Sequence, residues 1–438
     1  MKNIKFALWG FLIIVSGLWL MANTFPESFT YFEFRYLANQ YSGSIAMGSM
    51  SLCMLLAVRP KWLEPWLHGL DKGYRLHKWL GITALVSALT HFGLTKGTKW
   101  MVGWGWLERP NRPQKPAEAL NAPFNLEHWL GSFKGIAETA GEWTFYLALV
   151  LLCMALIKRI PYHWFKKFHK WLAVVYLGLV FHAVILIKFD YWSQPIGWLL
   201  AILLVAGTIS ALIVLFKRVG VAQKSIGTVT EIQSLPECDS VELFIDVPNW
   251  QGHQAGQFAF IRNLRSNQEI HPFTIASFTA NSLRFLIKNL GDYTAETARH
   301  FRVGDKVEIE GPYGYFTFKD NVSTQVWVGS GIGITPFIAR LEQLAQRENQ
   351  QKVFLFYCYR NTDERFIHEL QQKSAQANVQ LILWHSATQG RLMASDIRQK
   401  TGDLTNASLW FSGNSQFGEQ LKSDLHMAQF HQELFEMR

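Results

Sequence analysis

The sequence is poor in cysteine, and its cysteines form no motif. Cys53, Cys153, Cys238 and Cys358 make no CxxC, no zinc-ligand spacing and no CxxCH for covalent haem attachment. Two of them fall in apolar runs, where a small buried thiol is ordinary. Acidic residues are also scarce, with 33 Asp and Glu against 42 Lys and Arg, a net charge of +9. Such an excess can signal nucleic acid, but its placement here points elsewhere. Arg59, Lys61, Lys72, Arg75 and Lys78 crowd one loop, and Lys158, Arg159, Lys166, Lys167 and Lys170 crowd another. Both loops flank apolar runs, the pattern of the positive-inside rule. No convincing acid–base pair or nucleophile stands out. No nucleic-acid partner is expected.

What the chain has instead is two unlike halves. Its 438 residues suggest two to four domains. Residues 1–216 hold long apolar runs, and 217–438 read as a soluble protein. Crossing about 30 Å of hydrocarbon takes about 20 apolar residues. Six segments qualify as expected spans, at 4–22, 41–58, 76–94, 142–158, 169–188 and 195–216. The first could instead be a signal peptide, though no small-residue cleavage site follows Met21. Several of the 18 tryptophans, among them Trp79, Trp143, Trp171, Trp192 and Trp198, stand where apolar runs end. They read as an interfacial belt or as ordinary core residues. With the N-terminus in the cytosol, the basic loops at 59–75 and 158–168 are cytosolic, as is everything after Lys217 and Arg218. The loop at about 95–141 lies outside, and its segment 124–133 could form a short surface helix.

Four histidines stand inside these spans. His77 and His91 are fourteen residues apart in the third, and His169 and His182 thirteen apart in the fifth. At 1.5 Å per residue these are rises of about 21 and 19.5 Å. Both spans run in the same direction. His77 and His169 therefore share the inner leaflet, and His91 and His182 the outer. Each level offers one imidazole from each helix, as two-histidine ligation of a haem iron needs. The alternative for each residue is a hydrogen-bonded core histidine or a proton path. One problem remains: thirteen residues make about 3.6 turns, so His169 and His182 do not share a face of a straight helix. His68, His163 and His128 read as ordinary residues, with His128 also near the outer acceptor side.

The second half opens with short alternating runs at 226–232, 241–247 and 257–262, the signature of strands. Then come His271-Pro272-Phe273-Thr274, with Ser277 close behind, a strand at 283–289, Gly291-Asp-Tyr-Thr294 leading into a helix, and Gly311-Pro-Tyr-Gly314 as a turn. Together they predict a small antiparallel β-barrel that binds FAD. Thr274 and Ser277 suit the flavin edge, Phe273 the ring, and Gly291 to Thr294 a pyrophosphate at a helix start. From Gln325 the pattern turns α/β. A strand at 325–328 runs into Gly329, Gly331, Gly333, Thr335 and Pro336, then a helix to about Arg347. This is a loop that lets backbone approach a diphosphate, although it is not GxGxxG. A strand at 352–359 ends at Arg360, which either takes a 2′-phosphate or is a plain surface residue. A further strand at 409–412 leads to Gly413.

These residues resemble the NADPH oxidase/ferric reductase family of transmembrane flavocytochromes b. The likeness covers nearly the whole chain. It implies a multidomain architecture: a six-helix transmembrane bis-haem bundle at 1–218, an FAD β-barrel at 219–321 and an NAD(P)H-binding α/β domain at 322–438. It implies inner ligands His77 and His169, outer ligands His91 and His182, flavin binding at residues 271–274, and nucleotide binding at residues 329–335. Three features depart from the family pattern. Its Cys-Gly-Pro is Ser412-Gly413-Asn414 here. The aromatic expected over the flavin is not terminal, and Phe435 is the best candidate. No calcium-binding or regulatory extension precedes the first span, so a self-contained enzyme is expected.

The family implies an oxidoreductase in a lipid bilayer, plausibly a bacterial inner membrane, with its dehydrogenase half in the cytosol. NADPH or NADH, FAD and two b haems are its expected cofactors. FAD converts hydride to single electrons. The acceptor is expected to be O₂, yielding superoxide, or a ferric chelate. An electron-supplying subunit for a partner reductase or for quinone is the alternative, and no obligatory protein partner is evident.

Overall fold

The computed structural model describes residues 2–25, 30–108, 124–157, 159–265, 270–279, 281–289, 301–346 and 351–432. The chain divides into two compact units. One runs to Leu63 and from Lys72 to Val219; the other holds Glu64–Asp71 and the chain from Gly220 onward.

The first unit is helical. Its long helices are α1 (Lys2–Met21), α2 (Tyr31–Ala57), α3 (Leu70–Phe92), α4 (Lys134–Leu156), α5 (Tyr162–His169), α6 (Leu172–Leu186) and α7 (Pro195–Leu215). Local sequence sets their starts. Thr30 and Glu33 form a capping box at α2, satisfying two amides that a helix start leaves open. Pro195 opens α7 at a position where a missing N–H costs nothing. The tightly packed centre holds Met47, Met50, Met54, Ala173, Tyr176, Leu204 and Ala211. Outward-facing Ile13, Val86, Val150, Ile202, Val205 and Ile209 are exposed, an apolar exterior that suits lipid.

The described parts of the six expected segments are largely helical, but among the described residues four spans are by themselves long and apolar enough to cross a membrane: Asn3–Met21, Lys134–Leu156, Trp164–Leu186 and Pro195–Leu215. Tyr31–Ala57 passes the test only together with Lys61–Leu67, from which it is bent by 104°. Helix α3 falls short because Asp71, Lys72, Arg75, Lys78 and two histidines dilute its apolar content. The short helix Leu126–Ser132 lies where a surface helix was expected.

The second unit carries two sheets. In the first, β1 (Lys224–Leu235), β2 (Ser240–Asp246), β3 (Phe258–Asn263), β4 (His271–Thr274), β5 (Ser282–Lys288) and β6 (Lys306–Tyr313) pair antiparallel in the order β4-β3-β6-β1-β2-β5. The expected barrel is not closed. Strands β4 and β5 end the ladder and meet only through one bridge, Ile275 to Phe285, because β4 is four residues long. The expected turn at Gly311 is also corrected, since Gly311, Pro312 and Tyr313 finish β6. The core of this sheet includes Val229, Leu243, Ile245, Ile261, Phe285 and Ile309. The segment Glu64–Asp71 belongs to this unit: the Gly314 amide donates to Glu64 Oε1 at 2.6 Å.

The second sheet is parallel. Strands β7 (Thr324–Ser330), β8 (Lys352–Tyr359), β9 (Gln380–His385), β10 (Ala407–Ser412) and β11 (Gln429–Gln432) stand in the order β11-β10-β7-β8-β9. Helix α8 (Thr335–Ala345) follows β7 and α9 (Glu364–Gln376) follows β8. The strand order reverses between β7 and β10, the switch point at which open α/β sheets receive ligands.

Candidate functional site

The helical unit brings the four histidines together in two pairs. His77 and His169 have ring centroids 5.9 Å apart, and His91 and His182 6.2 Å apart. With a metal–imidazole bond of about 2.0 Å and about 1.1 Å from nitrogen to ring centre, a metal held between two imidazoles would allow ring centres up to about 6.2 Å apart. The spacing therefore fits one iron between each pair. Among the described residues no three His, Cys, Asp or Glu side chains gather as a metal site.

Backbone carbonyls orient three of the rings. His77 Nδ1 lies 3.1 Å from Cys53 O, His91 Nδ1 3.0 Å from Asn39 O, and His182 Nδ1 2.8 Å from Ala137 O. A carbonyl only accepts, so each Nδ1 donates and leaves an Nε2 lone pair for a metal. The fifth span is tightened locally between its two histidines. Helix α5 ends at His169, and α6 begins at Leu172. Three-residue turns bridge the gap, with Trp171 N bonded to Phe168 O at 2.9 Å and Ala173 N to Lys170 O at 3.1 Å.

Several supporting residues carried no signal in the sequence. Gly141 lies against the His182 ring, where any Cβ would collide with it. A Cβ on Gly43 would stand 3.2 Å from His91 Nδ1. A five-residue π-turn, Gly93–Gly97, follows directly after α3, and such bulges cluster at functional sites. Within it Thr95 Oγ1 donates to Asn39 Oδ1 at 3.1 Å, steadying the residue that holds His91.

In the second unit, the residues expected to meet the flavin lie on β4 and the turn beyond it. Phe273 packs toward the sheet core, which leaves Pro272 and Thr274 on the opposite face. Ser277 lies in the turn after β4. Its hydroxyl donates to Ser282 O at 3.0 Å and accepts from Arg284 N at 3.1 Å, so it serves the turn. His253 Nε2 holds Ser277 O at 2.6 Å, while Trp250 Nε1 donates to its Nδ1 at 3.1 Å. Burial pushes the His253 imidazole below its usual value, against the pull of that carbonyl bond. Gly291, Thr294 and Phe435 lie outside the described residues.

The glycine loop and the end of β10 abut at the switch point. A Cβ on Gly333 would collide with Ser412 O, and one on Gly413 would come 2.7 Å from Ser330 Cβ. Gly331 takes φ +55° with open space beside it. The turn Gly331–Ile334 then leads into α8, whose first amides suit a phosphate. Pro336 sits in the first turn of α8. Thr335 is buried and its hydroxyl donates to Ile332 O at 2.6 Å, which makes it a brace of the loop. Asn414, where the family has proline, caps the helix Ser415–Leu425 by accepting from Gln416 N at 2.9 Å.

On the β8 side of this loop a cleft of about 310 Å³ is lined by Gly331, Ile332, Tyr359, Arg360, Asn361 and Lys288, among others. Arg360 is exposed at its edge. Tyr359 stacks on His385 with centroids 5.2 Å apart. Cys238 also lines the cleft, but burial raises its thiol, and burial pushes Cys358 up to about 12. Neither is a ready thiolate.

Residues 42–180 match the family model described as a ferric reductase like transmembrane component. Residues 227–317 match an FAD-binding domain, and 327–403 an oxidoreductase NAD-binding domain. The reductase component of propane 2-monooxygenase from Mycolicibacterium smegmatis is 32% identical over 116 residues, covering 25% of this chain and 33% of that protein. Respiratory burst oxidase homolog protein E from Arabidopsis thaliana is 28% identical over 221 residues, 42% of this chain and 22% of that one. The chain thus spans about a third of the length of the first of these relatives. Among solved structures, the flavohem-like FAD/NAD-binding domain of nitric oxide dioxygenase from Vibrio cholerae aligns with a TM-score of 0.42 at 21% identity, over 48% of this chain and 98% of that one. A transmembrane component followed by FAD- and NAD-binding domains defines an integral membrane oxidoreductase. This order of domains matches that of the NADPH oxidase/ferric reductase family.

Proposed function

We propose that this chain carries electrons from cytosolic NAD(P)H, through FAD and two b-type haems, to an acceptor on the far side of a bacterial inner membrane. The acceptor is O₂, which yields superoxide, or a ferric chelate. The carrying observation is the pair of imidazole pairs, with centroid spacings of 5.9 and 6.2 Å and three Nδ1 atoms tied to carbonyls. His77 and His169 are the inner ligands, His91 and His182 the outer. Held by two histidines each, the irons would supply one-electron transfer, with both imidazoles of each pair used as ligands.

FAD, when bound, would supply the exchange between a two-electron hydride and single electrons. The chain's own residues bind and orient. Pro272 and Thr274 offer the outward face of β4 to the flavin, with His271 at the start of that strand. Gly329, Gly331 and Gly333 let a pyrophosphate approach the start of α8. Ser412 and Gly413, packed against that loop, flank the nicotinamide. The Arg360 side of the cleft receives the adenosine end, and its guanidinium pairs with a 2′-phosphate, which favours NADPH.

The test is aerobic NADPH-driven reduction of cytochrome c by the haem- and FAD-loaded protein, with and without superoxide dismutase. Loss of signal with dismutase identifies O₂ as the acceptor. Signal that persists, or that needs a ferric chelate, identifies the reductase. No electron flow to any of these acceptors overturns the proposal.

A further inference from the structure

Two loops must meet for hydride to pass: the flavin-side turn after β4 and the glycine loop that opens α8. One chain of charges ties them. Arg284 on β5 is 6% exposed. Its backbone binds the flavin-side turn twice, with its carbonyl accepting from Ala276 N at 2.7 Å and its amide donating to Ser277 Oγ at 3.1 Å. Its guanidinium reaches the other way. Nη1 donates to Glu369 Oε1 at 2.5 Å and Nη2 to Glu369 Oε2 at 2.9 Å, a two-pronged grip on α9. Nη2 also meets Glu242 Oε1 on β2 at 2.5 Å.

From Glu369 the chain continues into α8. Lys373 Nζ lies 3.5 Å from Glu369 and donates to Glu342 Oε1 at 2.7 Å. The other oxygen of Glu342 accepts from the amide of Phe278 at 2.9 Å, which returns the path to the flavin-side turn. Residues 276–278 are thus held by a closed circuit to the helix whose first turn is the dinucleotide loop. Planar, two-pronged arginine–carboxylate contacts fix geometry as well as energy. Arg284 and Glu242 are buried, while Glu369, Lys373 and Glu342 are partly exposed, so the circuit is weak evidence for stability and its meaning is geometric.

We infer that Arg284, with Glu369 and Glu342, is a positioning device that sets the separation of the flavin motif from the nicotinamide loop. This rests on the proposed dehydrogenase reading and adds to it the residues that set the hydride distance. None of the three touches a reacting atom. A displacement of about 1 Å at a reacting pair can cost about a hundredfold in rate.

Replacing Arg284 itself strands Glu242 in a buried site, so the test uses Glu369→Ala, which leaves the Arg284–Glu242 pair intact. Glu369→Gln keeps one accepting oxygen. Flavin reduction by NADPH is followed anaerobically in the full haem- and FAD-loaded chain, alongside FAD content and amide hydrogen exchange in residues 276–285. The expected result for Glu369→Ala is a limiting rate lower by about tenfold to a hundredfold, with FAD content and NADPH affinity unchanged. Faster exchange at residues 276–285 and partial recovery in Glu369→Gln should accompany it. An unchanged limiting rate, or a loss expressed only as weaker NADPH or FAD binding, overturns the inference. Should wild type show no flavin reduction at all, the dehydrogenase reading fails. The exchange data then still decide the tie, and unchanged protection at 276–285 refutes it.

Discussion

His182 and Gly141 are in contact: the ring that donates from Nδ1 to Ala137 O at 2.8 Å lies over the glycine one turn further along α4. A glycine inside a helix costs about 1 kcal/mol against alanine, so Gly141→Ala should favour the helix. Its Cβ, however, would occupy the space of the imidazole. The account predicts that Gly141→Ala loses the outer haem while the chain stays folded. Gly43→Ala should do less, because its Cβ would lie 3.2 Å from His91 Nδ1 and a small shift relieves it. Haem absorbance per chain and thermal unfolding, measured on both variants, check this.

Arg360 tests the nucleotide assignment. A hydrogen bond to a charged group contributes about 1.5–3 kcal/mol. Arg360→Ala should therefore raise the KM for NADPH by about tenfold or more, and leave NADH nearly unaffected. Steady-state kinetics with both nucleotides decide it. Equal effects on the two would return Arg360 to the plain surface.

Asp320 tests the packing of the parallel sheet. Its carboxylate accepts from Ser408 Oγ at 2.5 Å, Trp410 Nε1 at 2.9 Å and Gln325 Nε2 at 3.0 Å. Burial pushes this carboxyl up, but those hydrogen bonds outweigh it and hold it below the usual range. A carboxylate depressed in the folded state stabilises above its unfolded pKa, and that contribution is lost as pH falls through the folded value. Asp320→Ala should cost about 1–3 kcal/mol through the donors it strands. Thermal unfolding against pH should show a shallower acid decline in the variant, and an unchanged slope would contradict the assignment.

Much of this was legible in the sequence, for identifiable reasons. The helical positions follow from apolar runs, and the matched depths of His77 with His169 and His91 with His182 follow from rise per residue. Strand β8 was legible to the residue because buried parallel strands read as continuous apolar runs. The break at Lys170 and Trp171 was not, since neither residue is a proline or glycine that announces one. Helix α3 was expected among the membrane spans, yet its charged first turns keep it below the composition of one. That Phe273 packs toward the core of its sheet follows from the alternation of β4, which residue type alone does not show. Strand β9 was hidden in a short run after a polar helix, and β11 is four residues of mixed polarity. Arg284 looked like one charged residue in a strand. Its meaning depends on Glu369 and Glu342, which are distant in sequence and close only after folding.

The central claim is that the four histidines hold two haems, and counting haem tests it most directly. The measurement is non-covalent b haem per chain in the purified wild type and in His77→Ala, His91→Ala and a variant lacking both. The account predicts two haems in wild type, one in each single variant and none in the double. Wild-type protein that binds no haem when haem is supplied, or variants that keep the full count, would contradict it.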